Sequence, residues 1–144
     1  MRLSKAPLLA LLLGLAFPAF AAGTSAQLYM NPNCGCCGEY AKYLRAHGIA
    51  VTEIPVHNLA QMQEQNGVPE RLAGCHIMKI GPYIFDGLIP VDSVKRVLAE
   101  RPLIKGLTLP GMPAGAPGMP GPKKGPLHVY YISNDTPPKI YATY

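Results

Sequence analysis

Apolar and polar positions along this chain follow two periods, and an unbroken apolar run precedes both. The run extends from Leu8 to Phe17, follows Arg2 and Lys5, and leads to Ala19-Phe20-Ala21, which fits a small-x-small cleavage site. This predicts a secretory signal peptide over residues 1–21. The run is too short for a comfortable span, and no later stretch approaches the ~20 apolar residues that crossing a bilayer requires. No membrane insertion is therefore expected after cleavage, and residues 22–144 are expected to form one exported domain.

Beyond that run, Ala26 to Met30 alternates weakly and predicts a strand closed by Asn31-Pro32-Asn33. Tyr40, Tyr43, Leu44 and His47 recur at helical spacing, with Gly48 as the stop. Ile49 to Val56 is rich in β-branched residues and predicts a second strand. Asn58 and Gln61 form a candidate capping pair for a helix to about Asn66, and Val68 to Ala73 suggests a further short helical turn. His76 to Ile80 and Tyr83 to Phe85, separated by Gly81-Pro82, predict a hairpin. Val91, Val94, Val97 and Leu98 give a last helix its stripe, and Arg101-Pro102 ends it.

Composition then shifts abruptly: eleven of the seventeen residues from Pro110 to Pro126 are Gly or Pro, which forbids a regular helix or central strand. Residues 106–126 are assigned to a long flexible Gly/Pro/Met loop. Leu127 to Ile132 and Lys139 to Tyr144 resume the strand pattern around Asn134-Asp135 and predict a closing hairpin. The order strand, helix, strand, helix, strand, strand, helix predicts an α/β, thioredoxin-like domain with an added C-terminal β-hairpin. That order by itself says nothing about chemistry.

Charge narrows the classes of partner. Without Arg2 and Lys5, eleven basic residues face eight acidic ones. A net of +3 with only the doublets Lys95-Arg96 and Lys123-Lys124, and no interleaved aromatics, argues against nucleic acid.

Three of the four cysteines lie within Cys34-Gly35-Cys36-Cys37-Gly38, between the first strand and the first helix. A helix N-terminus presents unpaired N–H groups and a positive dipole end, both of which favour thiolate, the form that attacks disulfides and binds metals. Cys34 and Cys37 have dithiol redox spacing, whereas Cys34 and Cys36 have the spacing of many metal-binding loops. A purely structural pair of disulfides would waste its value on very small loops, and one of its three connectivities would join the adjacent Cys36 and Cys37 with strain. In an exported protein, thiols need burial, a metal or a partner to stay reduced.

Cys75-His76 opens the third predicted strand, where the chain passes beside the first helix N-terminus. Four thiols and an imidazole near one centre would suit Cu(I) or Zn(II). His76 could equally be a surface histidine beside a buried cysteine. His47 is assigned to a solvated helix end, and His57 and His128 carry no argument. Pro-Gly-Met-Pro occurs at 110–113 and again at 117–120, placing Met112 and Met119 in the loop. Thioethers are soft ligands that select Cu(I), although both methionines could instead be apolar anchors.

The Cys34–Gly38 motif, Gly67-Val68-Pro69-Glu70 leading to Cys75-His76, and the paired Pro-Gly-Met segments together resemble the periplasmic copper-resistance proteins of the CopG type, a thioredoxin-like metal-binding family. The resemblance implies a copper-binding, redox-active cluster of Cys34, Cys36, Cys37 and Cys75 in periplasmic copper handling. It departs from the family pattern, Ser-Cys-His-Thr, at Gly74 and Ile77. The expected metal ligands are Cys34, Cys36, Cys37, Cys75, His76, Met112 and Met119, with Cys34, Cys37 and Cys75 as the redox residues. The expected cofactor is copper as Cu(I)/Cu(II), ahead of zinc, in a monomer that exchanges metal or electrons with a periplasmic redox or copper-export partner. The competing expectations are a copper chaperone or buffer without turnover, a general thiol-disulfide oxidoreductase, and a structural zinc site.

Overall fold

A computed structural model describes residues 23–144. The predicted signal peptide lies outside the described residues. Seven strands form one sheet: β1 (Ser25–Met30), β2 (Ala50–Pro55), β3 (His76–Ile80), β4 (Tyr83–Asp86), β5 (Gly106–Thr108), β6 (His128–Tyr131) and β7 (Ile140–Thr143). They lie in the order β2-β1-β3-β4-β5-β6-β7. The three α-helices are α1 (Gly35–Ala46), α2 (Leu59–Gln65) and α3 (Val91–Glu100), and a 3₁₀ turn covers Glu70–Leu72.

β1 and β2 are parallel through the α1 crossover, while β3 is antiparallel to both β1 and β4. That pairing brings the end of β1, where the cysteine motif begins, beside the start of β3: Met30 pairs with His76. The fold thus joins sequence positions more than forty residues apart through one strand register.

Alternation along the central strands sorts side chains to two faces. Met78 and Phe85 join Leu28, α1 and α3 in the larger core, whereas Ile77 and Ile84 join Leu59 of α2, Val68 and Ile132 in the smaller one. The buried stripe of α1 is Cys37, Tyr40, Ala41 and Leu44. It begins one turn earlier than the expected stripe and leaves Tyr43 half-buried and His47 exposed. The periodicity holds once Cys37 is counted as an apolar residue, as buried cysteines generally behave.

Two details differ from the sequence expectation. Gly106–Thr108 form β5, parallel to β4, instead of opening the loop. The strand is only three residues long, too short for alternation to show. Asn58 precedes α2 without a side-chain cap, its amide donating to Gln61 at 3.4 Å. The terminal hairpin extends the sheet through β5–β6 pairing.

A Cβ at Gly106 would sit 1.7 Å from the carbonyl oxygen of Ile84, inside the β4–β5 ladder. Gly106→Ala is therefore expected to destabilise the chain by about 3 kcal/mol, in the range of severe backbone and overpacking lesions. Urea unfolding of the variant checks this, and an unchanged midpoint would contradict it.

Candidate metal centre

The sulfur cluster is assembled by two backbone features. On one side, α1 starts directly after β1, with Cys34 as its N-cap and Cys36 and Cys37 in its first turn. No acidic side chain lies in that turn, so the positive end of the helix faces the sulfurs without a competing carboxylate. On the other side, the bend from Gly74 into β3 delivers Cys75.

The Sγ atoms of Cys34, Cys36, Cys37 and Cys75 all lie within 4.8 Å of one another. Cys34 and Cys37 form a disulfide, and Cys36 and Cys75 are free. Cys36 Sγ stands 3.4 Å from Cys34 Sγ, 3.5 Å from Cys75 Sγ and 3.5 Å from Met112 Sδ. The Cys75 carbonyl oxygen lies 3.5 Å from Cys37 Sγ, a packing contact because a disulfide sulfur has no proton to donate. The Cys75 thiol is pushed well above the usual thiol range, first by burial and then by Cys36 beside it. It therefore keeps its proton and serves Cys36 as a hydrogen-bond partner.

The bend at Gly74 is held by side chains that sequence reasoning did not single out. Asp86, fully buried at the end of β4, accepts from the Gly74 amide and, at 2.7 Å, from Gln63 Nε2. Gln63 Nε2 also donates to the Gly74 carbonyl at 3.0 Å. Thr108 Oγ1 donates to Leu72 O at 2.5 Å and lies 3.4 Å from Asp86. Both backbone groups of Gly74 are thus clamped by one buried amide–carboxylate pair. A Cβ on Gly74 would lie 2.4 Å from the Gly87 Cα, so glycine fits here and the serine of the related pattern would not. No local signal marks the clamp, because its members come from α2, β4 and β5.

His76 is fully buried, not at the surface, because Met30 pairs with it across β1–β3 and Tyr40 stacks on its ring at 4.8 Å. Its Nδ1 lies 3.4 Å from Cys75 Sγ, while Nε2 is buried without a partner. Burial pushes its pKa down to about 3, so the ring is neutral.

The loop brings both methionines to the cysteines. Gly111 donates to Ala73 O at 3.1 Å and forms a bridge with Gly74, which seats Met112 beside Cys36. Gly118, at φ +89°, approaches so closely that a Cβ would lie 2.8 Å from Cys36 O and 2.9 Å from Tyr40 N. Met119 follows, half-buried against α1. Both line an open cleft of about 1150 Å³ with Cys34, Cys36 and Cys75, and His57, Asn58 and Gln61 line it too. His57, which carried no argument in the sequence, therefore faces the same cleft.

Chemically, the donors are soft. With Cys34 and Cys37 joined, two of the four thiolates that a tetrahedral zinc site would use are unavailable. The set that remains, two thiols and a thioether, suits Cu(I).

A family described as "Protein of unknown function, DUF411" matches residues 72–119, a segment that includes Cys75, His76, Met112 and Met119. Two solved structures of copper resistance protein CopG, forms 2 and 1, match with a TM-score of 0.76 each, at 29% and 28% identity. They cover 84% and 85% of this chain and 98% of their own. No curated protein matches. The chain thus resembles copper resistance protein CopG in both sequence and fold, as its cysteine motif implied.

Two buried groups make opposite contributions to stability. Burial raises Asp86 to about 6 from 3.8, so its contribution to stability is lost as pH rises through 6. His76, at about 3 against 6.5, makes stability rise between those values, because the unfolded chain binds the proton and the folded chain does not. Between pH 4 and 6 the two largely cancel. Metal-free Asp86→Asn should leave the histidine contribution alone, and its unfolding free energy should climb by about 1.4 kcal/mol per pH unit across that window. Urea titrations at several pH values test this, and parallel profiles for variant and parent would contradict it.

Proposed function

We propose that this chain is an exported copper-binding protein of copper resistance, whose cysteine cluster couples Cu(I)/Cu(II) to thiol and disulfide. The arrangement β2-β1-β3-β4 with α1 after β1 is read as thioredoxin-like, with β6 and β7 as the addition. The observation that carries the functional reading is the convergence of Cys75, from the start of β3, on three cysteines at the N-terminus of α1.

In this reading the reduced cluster holds Cu(I) through thiolates of Cys34, Cys36, Cys37 and Cys75. Closing the Cys34–Cys37 bond releases two electrons and withdraws two ligands, leaving Cys36, Cys75 and the Met112 thioether. Copper changes oxidation state by one electron and the disulfide by two, so two copper ions, or one ion and a periplasmic redox partner, complete each cycle. Met112 and Met119 line the route by which Cu(I) enters the cleft. His76 supports Cys75 from within, its Nδ1 directed at that sulfur.

No helix among the described residues is long and apolar enough to cross a membrane. Export by the residue 1–21 signal and action in the periplasm complete the proposal. A copper buffer without turnover would use the same ligands, and the two are separated by whether bound copper is oxidised or reduced catalytically.

Cys75→Ser is expected to weaken Cu(I) binding by at least tenfold in competition with a chromogenic chelator, because it removes the donor that closes the cluster. Met112→Leu should cost less, about two- to fivefold, since an exposed thioether on a loop contributes one weak contact against its ordering entropy. Undiminished affinity in Cys75→Ser, or tight one-to-one zinc binding with all four thiols reduced, would overturn the proposal.

A further inference from the structure

The cysteines carry a second arrangement that the copper reading does not use. Cys36 Sγ lies between a disulfide sulfur and a free thiol, 3.4 Å from Cys34 Sγ and 3.5 Å from Cys75 Sγ. We infer that Cys36 is the centre of an internal thiol–disulfide relay that moves the bond from Cys34–Cys37 to Cys36–Cys75 without an external oxidant.

The exchange balances. The Cys36 thiolate attacks Cys34 Sγ, the 34–36 bond forms, the 34–37 bond breaks, and Cys37 leaves as thiolate. The Cys75 thiol then gives its proton to the Cys37 thiolate, and its sulfur attacks Cys36 Sγ. The 36–75 bond forms, the 34–36 bond breaks, and Cys34 leaves as thiolate. One disulfide, one thiolate and one thiol proton are present at the start and at the end, so no electron enters or leaves.

Each step has a structural reason. Cys36 sits in the first helical turn, half-exposed to the cleft, with its sulfur 3.4 Å from the Cys34 sulfur it attacks. Cys34 is the N-cap residue of α1, between Cys37 and Cys36, so its sulfur can exchange one partner for the other without movement of the helix. The sulfurs of Cys37 and Cys75 lie within 4.8 Å of each other, so rotation of the Cys37 side chain, once freed from Cys34, brings them to hydrogen-bond distance for the proton transfer. Cys37 is fully buried, so protonation of its leaving sulfur is what draws the first step forward and prevents its re-attack on Cys34. The consequence is two redox-equivalent forms with different free pairs: Cys36 and Cys75 beside Met112, or Cys34 and Cys37 at the helix end.

This inference deepens the redox part of the proposed function and is tested without copper, so that failure of one can be told from failure of the other. Metal-free full-length protein carrying one disulfide per chain is held at pH 8, quenched with acid, alkylated and digested. Cleavage at Lys42, Arg45 and Arg71 separates the Cys34–Cys37 segment from Cys75. A 36–75 bond therefore appears as a cross-linked peptide pair, expected in roughly a tenth or more of the chains.

Cys36→Ser should abolish the cross-link while leaving the 34–37 bond in place. In the Cys34→Ser/Cys37→Ser variant, mild oxidation should yield the 36–75 bond quantitatively. Recovery of Cys75 only as the free alkylated peptide, in the parent and in the double variant alike, would overturn the relay. A cross-link that persists in Cys36→Ser through another cysteine would also overturn it.

Discussion

Everything at the sulfur centre depends on where one bend of backbone is held. Cys75 meets the N-terminus of α1 because Gly74 is gripped at its amide by Asp86 and at its carbonyl by Gln63. The grip is costly, since Asp86 is a buried carboxylate whose bonds come from neutral donors. Burying such a group is tolerated only when its oxygens are satisfied. A Cβ at position 74 would meet both Gly87 and Asp86 Oδ1, so glycine at position 74 and carboxylate at position 86 are one device. Three elements, α2, β4 and β5, thereby converge on a single peptide unit next to the fourth sulfur.

From this constraint follows the arrangement of the free sulfurs. With the disulfide closed, the open donors are Cys36, Cys75 and Met112, held by α1, by the clamp and by the Gly111 bridge respectively. Each donor is fixed by a different backbone contact, so the set is preorganised and ordering costs fall on the loop alone. The neutral, partnerless Nε2 of His76 sits behind this group. The other ring nitrogen, Nδ1, lies 3.4 Å from Cys75 Sγ, so the neighbour of that sulfur is an uncharged ring.

Much of the architecture was legible because its signals are local. The strand ending at Met30, the hairpin at Gly81-Pro82 and the helix stop at Gly48 rest on alternation and turn chemistry, and all three stand in the structure. The stripe of α1 was misplaced by one turn because Cys37 was counted as chemistry when it is also core. β5 was missed because three residues cannot show a period. At the site, the four cysteines and Met112 were readable as soft donors in a suggestive order. The burial of His76 and the clamp of Asp86, Gln63 and Thr108 were not, since each depends on pairing between segments distant in sequence. His57 likewise acquires meaning only from the cleft it faces.

The central claim is that sulfur from both sides of this junction binds copper together. X-ray absorption at the copper edge, on protein loaded with Cu(I) after reduction, tests it most directly. The account predicts a first shell of sulfur alone, with fewer sulfur neighbours in Cys75→Ser. A shell dominated by nitrogen or oxygen, or one unchanged when Cys75 is replaced, would contradict it.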